Sequence, residues 1–402
     1  MEAELSSLLL YLALILIAAK VGGAIFSRLK QPAVVGEIIA GILIGPSVAG
    51  WLSSQILGLP LCLDPSSPAG KVAGMLSQIG IILLLFLAGL SVDVKEFRKA
   101  GKPASVIAAT GALTAFALGF GAASLFGWGL LEAAFAGGVL MATSVGITVR
   151  TLLEINELHS KPGIAILGAA VIDDVFGIIA LTILAGVATA SVSVLDVAQI
   201  LALMAAFFLC AGIAGFRLIP KIITYLGRLR AEEVVLSGAL AVTFIVSALA
   251  EKVHIAAITG AFLVGMMARK TPMGALLREK VSTVGYGFFI PIFFVLAGAE
   301  VDLPALLNVS LLAIGFLAIA MFDKILGCGG GALLSGFSPR DSLKVGVGMM
   351  PRAEVALIMA SVGLQAGAVG QALYSMTVLV VLVTSIVSPV LVKFAFKRRN
   401  SY

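Results

Sequence analysis

The chain has 402 residues, of which 60% are hydrophobic and only 12% charged, with a formal net charge of +6. A soluble globular domain carries about 25% charged residues, so the composition excludes one and points to a polytopic helical membrane protein. The positive balance is not a nucleic-acid signature, because the basic residues sit in short stretches between apolar runs.

Thirteen apolar segments follow in order, roughly 5–27, 32–51, 71–91, 103–126, 131–151, 162–187, 194–218, 232–251, 255–270, 281–299, 304–335, 341–365 and 371–396. The ninth is short. The eleventh is long, which leads us to expect a tilt or kink near its glycines, Gly327 to Gly331. The acidic start, Met1 to Glu4, lacks the basic region of a signal peptide, so the first segment is expected to be retained.

Basic residues alternate between loops. The odd-numbered loops carry Arg28 and Lys30, then Lys95 to Lys102, Arg150 and Lys161, Arg217 to Arg230, Arg269 to Lys280, and Arg340 with Lys344; the C-terminal tail adds Lys397 to Arg399. The even-numbered loops offer only Lys71 and Lys252. This positive-inside pattern predicts an outside N-terminus, a cytoplasmic C-terminus and an odd number of spans.

A short internal repeat sets the architecture. Leu87-Ala88-Gly89-Leu90-Ser91-Val92-Asp93 closes the third segment, and Leu296-Ala297-Gly298-Ala299-Glu300-Val301-Asp302 closes the tenth. Seven spans separate the copies, an odd number, so they are inverted across the membrane. Gly41 to Gly45 has a weaker echo in Gly260 to Gly265. The expected fold is all-α, with two inverted six-helix repeats around a linking seventh span, an architecture common among secondary transporters. Segments five and twelve are repeat mates. The fifth contains Thr143-Ser144-Val145-Gly146; the twelfth contains Pro351, which removes a backbone donor. Both are expected to break at the midplane, where opposed half-helix ends need charges to balance them.

Segment six carries Asp173 and Asp174 side by side. One charged residue at bilayer depth costs roughly 2.5–3.5 kcal/mol on insertion scales, and such residues mark ion or proton pathways. Neighbours on a helix point about 100° apart, so the two carboxylates look at different surroundings. The other deep ionisable residues are Glu37, Lys324, Arg352, Glu354 and Asp323. Lys324 lies too deep to snorkel and needs a carboxylate. A segment-six aspartate is the expected partner; a local Lys324–Asp323 arrangement is the competing one. Arg352 and Glu354 flank Pro351 and are assigned to compensating broken-helix charge. Glu37 lines either the cavity or an interface.

A carboxylate binds a proton or a small cation in one place, and that competition couples the two fluxes. Hydroxyls and carbonyls of an unwound fifth span complete an oxygen shell for a hard monovalent cation. Neither a nucleotide motif nor a cysteine–histidine cluster is present: Cys62, Cys210 and Cys328 are isolated, and His159 and His254 are near loops. The expectation is a transporter rather than an enzyme, without cofactor. A passive channel lacks a filter-like segment. An intramembrane aspartyl protease is disfavoured because adjacent aspartates on one helix cannot flank a peptide bond.

At Gln31-Pro32-Ala33-Val34-Val35-Gly36-Glu37, Ala142 to Thr148, Gly168 to Val175 and Val345 to Val355, the chain resembles the cation–proton antiporter superfamily, most closely bacterial sodium–proton antiporters of the NapA type. The resemblance implies a homodimer in the inner membrane, with a dimer domain in 1–91 and 232–299. It implies a core transport domain in 103–187 and 304–396, a linker helix at 194–218, and elevator-like alternating access. It assigns Asp174 as the main Na+ and H+ carboxylate, Asp173 as the second sodium-site acid and the partner of Lys324, and Thr143 and Ser144 as neighbours of the ion. Paired aspartates imply electrogenic exchange of Na+ or Li+, two protons per sodium, with potassium–proton exchange on the same scaffold as the alternative. Asp323 departs from the family pattern and is an accessory acid here. A cytosolic nucleotide-binding domain, as in related potassium efflux systems, is not expected.

Overall fold

The computed structural model describes residues 2–50, 62–189, 194–229, 232–301 and 311–397. Asp302 of the second repeat copy, the start of the eleventh segment at 304–310, and the side chain of Glu354 lie outside that description. The described residues form seventeen α-helices and three π-helical turns.

The first repeat opens with α1 (Glu2–Arg28), α2 (Ala33–Ile44) and α3 (Pro68–Ser91). It continues with α4 (Val94–Leu125), the half-helices α5 (Leu130–Met141) and α6 (Val145–Glu154), and α7 (Lys161–Thr189). A π-helical turn at Ala211–Gly215 joins α8 (Val194–Cys210) to α9 (Phe216–Leu226), forming the linking span. The second repeat runs α10 (Val234–Lys252), α11 (Ala257–Arg269), α12 (Gly274–Val284) and α13 (Ile290–Ala299). It ends with α14 (Leu311–Leu334), the half-helices α15 (Pro339–Gly348) and α16 (Glu354–Gln365), and α17 (Gln371–Phe396). Eleven stretches are long and apolar enough to cross a membrane; the short α11 and the α15–α16 pair make thirteen crossings among the described residues.

Several helices outrun their apolar stretches. Helix α4 starts at Val94 rather than near 103, because Asp93 caps it by accepting from the Lys95 amide at 2.7 Å. That bond holds the Asp93 carboxyl below the usual carboxylate range. The polar turn that follows is helical in Lys, Glu and Arg, good helix formers outside the bilayer. Helix α12 likewise begins seven residues before the apolar run, and the linking span extends to Leu226. In the eleventh span, α14 is unbroken through Gly327 to Gly331. Those glycines serve close approach. A Cβ on Gly327 would meet Gly111 and Thr114 of α4, and one on Gly331 would meet Thr110 and Ile107.

The repeat is visible in how the helices pack. A Cβ on Gly89 of α3 would collide with the Phe262 carbonyl of α11, and one on Gly265 with the Phe86 carbonyl. In the other pairing, Gly298 of α13 meets the Ile38 carbonyl of α2, and Gly41 meets that of Val295. Gly89 and Gly298 are equivalent positions of the repeat, so one close crossing occurs twice, once in each hand of the membrane. Without a hydrophobic driving force inside lipid, such small-residue contacts carry helix association.

Helices α1, α2, α3, α11 and α13 pack together, and α4, α5, α7, α14, α15, α16 and α17 form a second group. Within the second group, Glu132 of α5 accepts from the Gly370 amide at 3.1 Å, satisfying the first turn of α17.

Candidate functional site

Both half-helix pairs break midway along their spans and cross. Helix α5 ends at Met141 and α6 resumes at Val145; α15 ends at Gly348 and α16 resumes at Glu354. The unwound residues bond to each other: the Ser144 amide donates to the Pro351 carbonyl at 2.8 Å, and Thr148 Oγ1 donates to the Gly348 carbonyl at 2.6 Å. Pro351 has no N–H to lose, and its carbonyl is used across the crossing. Two helix C-termini and two N-termini therefore meet in one place, with carbonyls and amides left over.

Charged side chains close that account. Arg352, fully buried, donates from Nη1 to the carbonyls of Met350 at 2.8 Å and Met349 at 3.3 Å, capping the α15 end. Its Nη2 donates to both oxygens of Asp323 at 2.9 and 2.8 Å. Helix α17 holds the backbone of the same residue: the Arg352 amide donates to Thr384 Oγ1 at 3.1 Å, and Ser385 Oγ donates to the Arg352 carbonyl at 3.3 Å.

Lys324 points the other way. Its Nζ donates to the two oxygens of Asp173 at 3.0 and 3.1 Å, with both side chains buried. The local Lys324–Asp323 side-chain arrangement is therefore not the one observed. Adjacent residues of α14 serve different partners, as a 100° step requires. Asp173 faces α14 and Asp174, the next residue of α7, faces α11. Thr259 Oγ1 of α11 donates to Asp174 Oδ2 at 3.4 Å. The void beside Asp174 is about 10 Å³, walled by Val145, Leu167, Val171 and Phe262 among others. That is the smallest space able to hold one water-sized particle.

Val145 follows Ser144, so the unwound fifth span opens next to this void. Thr143 Oγ1 and Ser144 Oγ are buried without a hydrogen-bond partner. Two adjacent buried hydroxyls without a protein partner have oxygen lone pairs to offer a cation or water. The chemistry here is hard: carboxylate, hydroxyl and carbonyl oxygens suit a hard cation or a proton, not a transition metal. No cluster of three or more His, Cys, Asp or Glu with metal-site geometry occurs among the described residues.

Of the residues singled out from the sequence, the structure brings together Asp173, Lys324, Asp323 and Arg352 with Thr143 and Ser144 at the crossing, and Asp174 beside them. Glu354 opens α16, but its side chain lies outside the described residues. Glu37 is elsewhere, buried against Arg150 of α6 at 3.4 Å. Sequence reading missed Thr259, Thr384 and Ser385. Their only signal is polarity in otherwise apolar spans, and serine or threonine in a membrane helix more often bonds its own backbone, as Thr384 also does.

A family model described as sodium/hydrogen exchanger, transmembrane, matches residues 13–398. The Na(+)/H(+)-K(+) antiporter GerN of Bacillus cereus is 32% identical over 389 residues, covering 97% of this chain and 96% of that protein. The high-affinity Na(+)/H(+) antiporter NhaS3 of Synechocystis is 33% identical, covering 98% and 90%. A solved structure of the sodium proton antiporter MjNhaP1 from Methanocaldococcus jannaschii superposes with a TM-score of 0.66 across 98% of this chain and 97% of that one. At 16% identity, that likeness is one of fold. With almost the whole length matched and the broken-helix crossing in place, the chain belongs to the sodium/hydrogen exchanger family of multi-pass transmembrane proteins.

Proposed function

We propose that this chain exchanges sodium or lithium for protons, with Asp174 as the carboxylate that carries either. The observation that carries the reading is the pair of buried hydroxyls without a protein partner, Thr143 Oγ1 and Ser144 Oγ, on the unwound turn whose next residue, Val145, lines the Asp174 void. A deprotonated Asp174 with these hydroxyls supplies hard oxygen ligands to a bare monovalent cation. Protonation of the same carboxylate removes the charge that holds the cation. Each particle thus displaces the other. The relatives' names, sodium–proton antiporters from several bacteria, support the same cargo. Lys324 balances Asp173, which releases or takes a second proton as that ion pair opens. This is the basis for an electrogenic two-proton, one-sodium cycle.

The moving body comprises α4–α7 and α14–α17, the fixed body α1–α3 and α10–α13, with α8–α9 as the link. A homodimer is supported by the exposed apolar face of α1, with Leu9, Leu10, Ile17 and Val21 outward; lipid covers what the partner does not. The basic loops favour a cytoplasmic C-terminus, and the bacterial relatives favour an inner-membrane location. Proton flux in proteoliposomes, on addition of sodium, lithium or potassium, tests cargo and charge together. With voltage free to develop, sodium and lithium are expected to drive proton flux and to build a potential. A response to potassium alone would move the cargo to potassium, and the absence of any cation response from folded protein would end the antiport reading.

A further inference from the structure

Glu37, in the Gln31–Glu37 motif, takes no part in the crossing, yet it is 3% exposed and sits on the α2 face that meets α6. Its Oε1 accepts from Arg150 Nη2 at 3.4 Å. The Arg150 guanidinium lies over the Tyr286 ring, 4.3 Å from its centre, in the π-helical turn between α12 and α13. Lys20 of α1 donates to the Tyr286 carbonyl at 2.7 Å and fixes that turn. One turn further along α6, Glu154 accepts from the Ala33 amide at 2.7 Å. It thereby caps α2, whose own cap position, Pro32, makes no side-chain bond. Lys393 of α17 donates to the Lys30 carbonyl at the same end of the molecule.

The Glu37–Arg150, Arg150–Tyr286, Glu154–Ala33 and Lys393–Lys30 ties share two properties. Each joins α6 or α17 to α2, the α1–α2 turn or the α12–α13 turn, and each lies on the side of the basic loops. On the opposite side the same two groups part around a cavity of about 300 Å³. Glu300 and Tyr374 line its rim, and it reaches Ala353 and Ser385 at the second crossing. Ile38, next to Glu37, is in its wall, so the seam closes immediately below the cavity floor.

We propose that Glu37, Arg150, Glu154 and Tyr286 form a latch that holds α6 against the fixed body while the opposite side is open, and that parts when the core moves. The inference rests on the two-body movement proposed above. A contact biases a two-state equilibrium only if it exists in one state. A hydrogen bond of 2.7 Å does not survive sliding of α6 by several ångströms, so these contacts meet that condition. The tie is also built to part. Glu37 Oε2 and Arg150 Nε are buried without partners, so the network is only half satisfied and its opening costs less than that of a complete one. The latch acts on α6, whose first residues follow Thr143 and Ser144, so its state is transmitted to the ion oxygens by a rigid helix of ten residues.

The test reads the state directly. In full-length protein with Cys62, Cys210 and Cys328 replaced by serine, Ala297→Cys places one thiol on the exposed cavity wall. Its reaction rate with a membrane-impermeant maleimide is measured without a sodium gradient. Glu37→Gln and Tyr286→Leu should each move the equilibrium constant between the two states at least about threefold away from the open one and slow labelling accordingly. Tyr286→Leu keeps the ion pair intact and serves if Glu37→Gln fails to fold. Unchanged labelling in a folded Tyr286→Leu or Glu37→Gln protein overturns the latch, whatever the transport activity. Loss of the transport reading would show instead as absent sodium-driven proton flux in the unmodified protein, with labelling unaffected.

Discussion

Asp174→Asn is expected to abolish sodium-driven proton flux to the level of empty liposomes while leaving the protein folded. Asparagine matches aspartate in shape and still offers Thr259 an acceptor, so the 3.4 Å contact to α11 has a substitute. What it lacks is a titratable charge. Without one, a bare cation in the void of about 10 Å³ beside this residue meets a neutral amide and has no counter-charge to replace its hydration. Proton transfer fails with it, because the amide does not ionise. The measurement is flux against melting temperature for the same preparation. Retained sodium-dependent flux in Asp174→Asn would remove this residue from its assigned place and move attention to Asp173.

Asp323→Asn is expected to be the most destabilising single change at the crossing, more so than Asp173→Asn. Both remove one member of a buried ion pair, and stranding a buried charge costs about 3–5 kcal/mol. The difference lies in the cation left behind. Arginine cannot shed its proton in a protein, whereas a lysine stripped of its partner becomes neutral. Arg352 is also the residue that caps the α15 end through Met349 and Met350. Loosening it frees those carbonyls at bilayer depth, where each unsatisfied group costs several kcal/mol. Lys324 caps nothing comparable. Thermal unfolding in detergent of the two variants side by side gives the ranking. An Asp173→Asn protein that melts lower than Asp323→Asn would mean that Arg352 draws its compensation from elsewhere.

The two breaks were legible because proline and a hydroxyl–glycine stretch each interrupt a span, and because an inverted repeat makes them mates. The aspartate pair was legible because charge inside an apolar run is costly. The pairing of Asp323 was not: helical geometry says that Asp323 and Lys324 point apart, but only three dimensions say that Arg352, twenty-nine residues on, lies opposite. Arg150, at the end of the fifth segment, was counted among the loop charges. It belongs to α6 and is buried by Glu37, a partner 113 residues away. Helix ends failed for a related reason. Apolar windows record what touches lipid, whereas caps such as Asp93 extend helices past it. The glycines of α14 were read as a weakness and prove to be a surface for α4. A glycine looks the same in sequence whether it bends a helix or admits a neighbour.

Competition of sodium and protons for one carboxylate is tested most directly by proton release. Purified protein in weakly buffered detergent solution, held near the pH of half-maximal activity, is titrated with sodium chloride against a choline chloride control while released protons are counted. Saturable proton release with sodium, absent in Asp174→Asn, is the expected result. Saturable sodium binding without proton release would show that the two particles occupy separate places and would contradict exchange through Asp174.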